Sequence, residues 1–275
     1  MFKTFVADGD LAGSVTVKEY EGRYFPPDMP DIPSHLKRLQ SFDADASDVI
    51  ICAYPKSGFH WIWDVMTMLI NNTSRISKEL PGKYSLELGV RKMEQIPPPR
   101  VLGSHLYYEE LPASIRQKKL LFNDWFTYTQ LWERVRQNNL SNPTHVMFYE
   151  DAIQNPFNEF KRLARFLQLD VKESMIRTIA EQTKFSNLQT FKEAAIGHHP
   201  LAGSFFTGNK YPLYRKGTKD DWKSLFTLQQ NAEFEQIYKE RMQYNKLQLK
   251  SIVNPGSNDT GCVMCVEDTR YGSKL

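Results

Sequence analysis

The segment Tyr54–Gly58, with the sequence Tyr-Pro-Lys-Ser-Gly, carries residue types that bind an anion. It follows Asp48–Tyr54, an apolar and β-branched run of strand length, and precedes Phe59–Ile70, whose apolar residues recur at helical spacing. The first amides of a helix lack partners within the helix and lie at the positive end of its dipole. The lysine adds a charge, the serine a hydroxyl, and the glycine a backbone that an oxyanion can approach closely. The pattern favours an anion site over the alternative, an ordinary turn with a surface lysine.

This loop is not a Walker A motif. That motif requires Gly-x-x-x-x-Gly-Lys followed by Ser or Thr, whereas Lys56 here precedes Gly58, the loop's only glycine. The spacing therefore argues against a nucleotide kinase, even though the strand-loop-helix order is similar.

A second basic segment, Arg215-Lys216-Gly217, also suits phosphate. An arginine guanidinium can donate to two phosphate oxygens at once, and a glycine lets the backbone bend around them. Taken alone, the segment is better interpreted as an exposed basic turn.

The elements that must position these residues alternate along the chain. Strands are predicted over 48–54, 100–104 and 144–149, and helices over 34–42, 59–70, 125–135, 157–167, 172–182 and 228–242. Such alternation is typical of an α/β fold, here a single domain with a mainly parallel sheet flanked by helices. We expect a domain over 1–250 with its core at 34–245. The Gly-, Ser- and Asn-rich tail 251–275 is expected to be disordered or loosely docked.

Composition excludes several classes of protein. The net charge of +3, from 35 basic and 32 acidic residues, is not that of a nucleic-acid binder. The densest apolar stretch, 59–70, is too short to span a membrane, and the first 15 residues do not resemble a signal peptide. Three cysteines cannot build a disulfide framework, so a cytoplasmic location is expected. Cys262 and Cys265 lack further ligands nearby, and no metal site is predicted.

Four segments together resemble the cytosolic sulfotransferases. Residues 54–61 resemble the family's phosphosulfate-binding loop, Y-P-K-S-G-T-x-W, with Phe59 at the threonine position. Residues 215–223 resemble R-K-G-x-x-G-D-W-K, with Asp220 in place of the second glycine. Residues 148–151 match F-Y-E-D, and residues 183–188 resemble T-S-F-x-x-M.

The resemblance implies a donor and the residues that bind it. The donor is 3′-phosphoadenosine 5′-phosphosulfate, and the acceptor is a small, mostly apolar molecule with a hydroxyl or amine. The 5′-phosphosulfate side is expected to contact Lys56, Ser57, Gly58, Phe59, His60 and Trp61. The adenine side is expected to contact Tyr149, Thr183, Phe185 and Leu188. The 3′-phosphate is expected to contact Arg215, Lys216 and Gly217, and Leu213 and Tyr214 are expected to flank the nucleotide.

His105 is the candidate general base. Residues 99–106 resemble the family's P-R-x-x-K-T-H-L, in which the histidine takes the acceptor's proton, with Gly103 here in place of the lysine. A neutral imidazole suits that task near pH 7. Lys56 is then expected to stabilise the charge that develops on the leaving phosphate oxygen.

The chain lacks one unit of the family pattern. Members carry a strand and helix with R-N-x-x-D-x-x-x-S between the His strand and the Y-E-D strand, and their Arg and Ser bind the 3′-phosphate. His105 and Tyr149 are only 44 positions apart, and residues 117–120 run directly into 121–125, which resemble family sequence from beyond that unit. The strand and its crossover helix, which need about 30 residues, therefore have no room here. Two functions therefore stay open: an active sulfotransferase, or an impaired nucleotide-binding protein of the same family. Lys223 and Thr227 match part of the family's dimer segment, which makes a homodimer plausible.

Overall fold

The structure is a computed structural model of the chain. It describes residues 3–7, 15–21, 23–25, 31–79, 84–106, 111–112, 125–137, 143–196, 214, 216–219, 221–245 and 263–268. All structural statements below concern these residues.

The strands form two sheets. An antiparallel sheet near the N-terminus, which the sequence patterns did not predict, contains β1 (Lys3–Ala7), β2 (Val15–Tyr20) and β3 (Arg23–Phe25). The central sheet contains β4 (Val49–Ala53), β5 (Val101–Ser104), β6 (Thr144–Phe148) and β7 (Val263–Asp268), in the order β5-β4-β7-β6. The three strands predicted from the sequence are confirmed to within one residue at each end.

Helices cover both faces of the central sheet. They are α1 (Ile32–Gln40), α2 (Phe59–Ile70), α3 (Leu86–Met93), α4 (Trp125–Gln137), α5 (Tyr149–Gln154), α6 (Pro156–Phe166), α7 (Glu173–Gln182), α8 (Phe185–Ile196) and α9 (Leu228–Met242). Six of them were predicted from periodicity. Local caps explain several starts: Asp31 accepts from the Ser34 amide at 3.1 Å, and Thr227 forms a capping box with Gln230.

The central strand β4 contributes to two apolar cores. Its residues are all buried and alternate between the faces of the sheet. Val49, Ile51 and Ala53 belong to the core formed with α2, α6 and α7. Ile50 and Cys52 belong to the core formed with α1, α3 and α4. This burial on both faces explains why the sequence of the strand is an uninterrupted apolar run. The central sheet with helices on both faces confirms the α/β prediction.

Strand β7 corrects the expectation of a disordered tail. Residues 263–268 lie between β4 and β6 and run antiparallel to both, whereas β4, β5 and β6 share one direction. Without a strand there, the facing backbone groups of β4 and β6 would lack partners inside the sheet. The C-terminal segment thus supplies the hydrogen-bonding partner of both β4 and β6. The Val-Met-Cys-Val run was its local signal, masked by polar neighbours.

Candidate active site

The ends of three parallel strands meet at one edge of the central sheet. These ends are Ala53 of β4, Ser104 of β5 and Phe148 of β6. The loop 54–58, His105 and Tyr149 follow them directly. Ligands of open α/β sheets bind outside the carboxyl ends of the strands. The structure therefore brings together the residues predicted for the loop, the candidate base and Tyr149, one of the residues predicted for the adenine side.

The loop 54–58 has a constrained backbone. Lys56 and Gly58 both adopt left-handed conformations, with φ of 70° and 96°. For a non-glycine residue such as Lys56 this costs about 1–2 kcal/mol, and strain of this kind concentrates at functional sites. Between them, Ser57 donates from its amide and its hydroxyl to the Tyr54 carbonyl, at 3.2 and 2.6 Å. The Ser57 hydroxyl proton therefore closes the loop, and its contact with an anion stays a prediction.

The ring of Tyr149 packs against the loop at Gly58. A Cβ on Gly58 would lie 2.6 Å from Cδ2 of Tyr149, so a side chain at 58 would displace the ring. Tyr149 also lies edge-on to Trp61, with ring centroids 5.7 Å apart. A glycine is therefore needed at position 58 for two reasons: the backbone has a positive φ, and the Tyr149 ring lies where a side chain would be.

Phe59 is turned into the protein beneath the loop. It is buried, and its ring covers Gly103 of β5 so closely that a Cβ at 103 would overlap it. The ring is edge-on to His105, with centroids 5.3 Å apart. The two departures from the family pattern, at 59 and 103, are therefore in direct contact and form an apolar wall beside the candidate base.

The imidazole of His105 is oriented by the end of β4. Its Nδ1 lies 2.7 Å from the carbonyl oxygen of Ala53. A carbonyl oxygen only accepts hydrogen bonds, so Nδ1 carries the proton. In the neutral ring, Nε2 then keeps its lone pair. This is the tautomer that a general base requires.

His60 and Trp61 place two buried polar atoms in the first turn of α2. The Nδ1 of His60 and the Nε1 of Trp61 have no hydrogen-bond partner among the described residues. Burial, together with the neighbouring His105, Lys192 and Lys56, lowers the pKa of His60 to about 3, so the ring is neutral near pH 7. Buried polar atoms normally have partners, and a polar ligand at the loop would supply them.

Tyr214 and Gly217, from the segment predicted to bind the 3′-phosphate side, pack on the start of α8. Gly217 has a φ of 65°, and a Cβ there would lie 2.6 Å from Cβ of Phe185 and closer still to its ring. Phe185 also lies edge-on to Tyr214, with centroids 6.4 Å apart. Lys216 is half exposed and pairs with Asp221 at 2.6 Å. Two predicted residues, Leu213 and Arg215, lie outside the described residues.

Thr183 and Leu188 are both buried. The Thr183 hydroxyl donates to the Ile179 carbonyl at 2.8 Å, where α7 ends. The two residues flank Phe185 in sequence, and their contact with the adenine stays a prediction.

A family model for the sulfotransferase domain matches residues 46–121 and 116–246, which is most of the chain. This chain belongs to the sulfotransferase family. The two matched stretches meet at 116–121, the point where the sequence lacks the strand-helix unit. No helix among the described residues has the length and apolarity to cross a membrane. No three His, Cys, Asp or Glu side chains in the described ranges are grouped so as to hold a metal ion.

The sulfotransferase is similar to several known proteins over most of its length. Human sulfotransferase 1C2 is 24% identical, with 85% of this chain and 95% of the relative covered. Mouse sulfotransferase 1B1 is 25% identical, over 75% of this chain and 86% of the relative. The crystal structure of mouse sulfotransferase SULT7A1 complexed with PAP superposes with a TM-score of 0.61 at 24% identity, covering 83% of this chain and 96% of that one.

Glu87 of α3 was missed by the sequence patterns. Its buried carboxylate accepts from the Ser104 hydroxyl at 2.9 Å, from the Leu106 amide at 3.0 Å, and from the His105 amide. The Ser85 hydroxyl donates to its other oxygen. The sulfotransferase thus anchors the backbone of its candidate base on a carboxylate 18 residues earlier in the chain. No local motif marks Glu87, because its donors lie on another element.

Proposed function

We propose that this sulfotransferase moves the sulfonate of 3′-phosphoadenosine 5′-phosphosulfate to a hydroxyl or amine of a small, mostly apolar acceptor. The observation that carries the proposal is the placement of His105. Its proton-accepting Nε2 belongs to a ring held at the same sheet edge as the loop 54–58. The Phe59 ring beside it favours an apolar acceptor.

The donor's 5′ side is assigned to the loop and to the first turn of α2. Lys56 would supply charge, the backbone amides from Ser57 to Trp61 would supply donors, and His60 and Trp61 would supply their buried ring nitrogens. The adenine is assigned to the rings of Tyr149 and Phe185.

The donor's 3′ side is assigned to the segment after α8. Lys216 would neutralise the 3′-phosphate by leaving Asp221, and Gly217 would let the backbone approach it. Arg215 completes this assignment, and Leu213 and Tyr214 precede it and flank the nucleotide. The solved structures of SULT7A1 and of retinol dehydratase both contain PAP, the nucleotide that remains after the donor loses its sulfonate.

The donor supplies an activated sulfonate on its 5′-phosphate. His105 Nε2 accepts the acceptor's proton as that acceptor's oxygen or nitrogen bonds to sulfur. The bond between sulfur and the bridging phosphate oxygen breaks, and its electron pair stays on that oxygen. Lys56 would stabilise this developing charge. The imidazolium formed on His105 then returns its proton to solvent.

Transfer of labelled sulfonate from the donor to a panel of phenols, sterols and amines tests the proposal. His105→Gln and Lys56→Ala should each reduce turnover by about 100-fold or more, because each removes a group that acts in the transition state. His145→Gln and Lys37→Ala are matched controls away from the sheet edge and should keep activity. Donor binding without transfer by the unaltered protein would overturn the enzyme assignment in favour of an impaired nucleotide binder.

A homodimer is part of the proposal. Three apolar side chains at the start of α9 are exposed: Leu225 at 52%, Phe226 at 39% and Leu228 at 93%. A contiguous exposed apolar patch favours association. Sedimentation should show a dimer that Leu228→Glu converts to a monomer, while Tyr244→Glu, at another exposed site, leaves it intact. A monomeric wild-type protein would remove this part of the proposal.

A further inference from the structure

A fully buried ion pair links α2 to α8. The Nζ of Lys192 lies 2.8 Å from Oδ1 of Asp64, and both side chains have an exposure of 0%. The remaining ammonium protons are directed to the carbonyl oxygens of Ser77 and Glu79, both at 2.9 Å. The sequence patterns singled out neither Asp64 nor Lys192, and the donor site assigned above uses neither.

The same carboxylate reaches the segment that precedes the 3′-phosphate residues. The hydroxyl of Tyr214 lies 3.4 Å from Oδ2 of Asp64. The Tyr214 carbonyl accepts from Gln189 Nε2 of α8 at 3.5 Å. Phe185, at the start of α8, contacts both the Tyr214 ring and Gly217. The contacts form a closed triangle of α2, α8 and the segment 214–217.

Each corner of this triangle carries part of the proposed donor site. Helix α2 starts at the loop 54–58, which is assigned to the 5′ side. The segment 214–217 is assigned to the 3′ side, and Phe185 of α8 to the adenine. A ligand with two phosphates gains from both sites only when their separation is held at the right value.

The chemistry of the pair supports a role beyond stability. Burial raises the pKa of the Asp64 carboxyl to about 6, with Lys192 opposing the rise, and burial lowers the pKa of Lys192. Desolvation therefore works against both charges, as expected when two ions leave water. Buried pairs of this kind are better suited to fixing one geometry than to adding stability.

We propose that Asp64, Lys192 and Tyr214 are positioning residues that hold the 5′ and 3′ phosphate sites of the donor at a fixed separation. The inference rests on the proposed function, since it concerns the same donor. It predicts that disturbing the triangle weakens binding of a nucleotide with both phosphates more than binding of one with the 5′-phosphate alone.

Calorimetry with adenosine 3′,5′-bisphosphate and adenosine 5′-phosphate provides the test. The readout is the Kd for adenosine 5′-phosphate divided by the Kd for adenosine 3′,5′-bisphosphate. A general loss of folded protein does not change this ratio. Tyr214→Phe removes one hydroxyl and should reduce the ratio about fivefold, the usual effect of one hydrogen bond. The paired change Asp64→Asn with Lys192→Met removes both charges at similar volume and should reduce it by about tenfold or more. Tyr238→Phe, a buried tyrosine of α9, is the matched control and should leave the ratio unchanged.

The outcomes separate the inference from the function on which it rests. An unchanged ratio in folded Tyr214→Phe and in the paired variant overturns the inference, as does equal weakening of both nucleotides. A wild-type protein that does not prefer the bisphosphate overturns the proposed donor instead, and the inference with it. If the paired variant does not fold by circular dichroism, the Tyr214→Phe result alone decides.

Discussion

The ring of Phe59 occupies the space that a side chain at Gly103 would need. The two residues lie on different elements, α2 and β5, and both differ from the pattern of the family the chain belongs to. A threonine at 59 would leave this space open, and a lysine at 103 would have no room beside a phenylalanine. The two substitutions are therefore physically coupled. The Phe59 ring fits because residue 103 has no side chain, and a larger residue at 103 would collide with that ring.

This coupling predicts a non-additive effect on stability. Gly103→Ala should lower the free energy of unfolding by about 1–3 kcal/mol, because the added methyl overpacks a filled site. Phe59→Thr itself should lower the free energy of unfolding by about 3 kcal/mol, because it leaves a cavity. In that background Gly103→Ala should lower it little further, because the methyl group then has room. Urea unfolding of the four proteins measures the interaction. Equal costs of Gly103→Ala in both backgrounds would contradict the coupling.

His60 should make the fold sensitive to acid. Its pKa falls from an ordinary 6.5 to about 3 in the folded protein, mainly through burial. Between these values the unfolded chain binds more protons, so stability is lost as the pH drops through this window. From pH 7 to pH 4.5 the loss assigned to His60 is about 2 kcal/mol.

His60→Gln is the variant that isolates this effect. It should flatten the pH dependence of the unfolding free energy below pH 6.5, measured by urea unfolding from pH 4.5 to pH 7. Parallel curves for the wild type and the variant would show that the histidine is not buried as a neutral ring.

Glu87 should control turnover through His105. Glu87→Ala removes the acceptor of the His105 amide and of the Ser104 hydroxyl, and the base then loses its fixed position. We expect kcat to fall by about 10- to 100-fold with little change in KM for the donor. Glu87→Gln retains an accepting oxygen, so its kcat should lie between that of the wild type and that of Glu87→Ala.

Steady-state kinetics with the best acceptor of the panel measures this effect. Glu133→Gln, which changes another buried glutamate on α4, is the control and should keep kcat. A loss that appears only in KM, or one as large in the control, would assign Glu87 a purely structural role.

Strand β7 should be necessary for the fold. A chain ending at residue 250 lacks the strand between β4 and β6, and it should lose cooperative thermal unfolding and aggregate through the two strand edges. A chain ending at Asp268 keeps the strand and should melt as the full chain does. Circular dichroism and gel filtration distinguish the two. Normal melting of the shorter chain would mean that β4 and β6 pair without β7.

The site was predictable where its parts are local. The loop 54–58 follows its strand and precedes its helix directly, so residue order and apolar periodicity predicted that Lys56 and Gly58 lie between β4 and α2. In the same way, His105 and Tyr149 each follow a strand end. The burial of Thr183 and Leu188 could not be predicted, because their motif is continuous in sequence, whereas helical geometry turns Phe185 toward Gly217 and its neighbours into the core.

The sequence by itself determined the family, the α/β class and the strand ends at which the proposed chemistry takes place, because these depend on backbone periodicity and on side chains adjacent in the chain. Only the tertiary structure decided that a C-terminal strand completes the sheet, that Glu87 anchors His105, and that Asp64 meets Lys192 at a separation of 128 residues. The physical reason is that buried hydrogen bonds and ion pairs are satisfied by whichever group the topology brings near. The sequence can show that a buried polar group must have a hydrogen-bond or charge partner, but it does not show which residue that partner is.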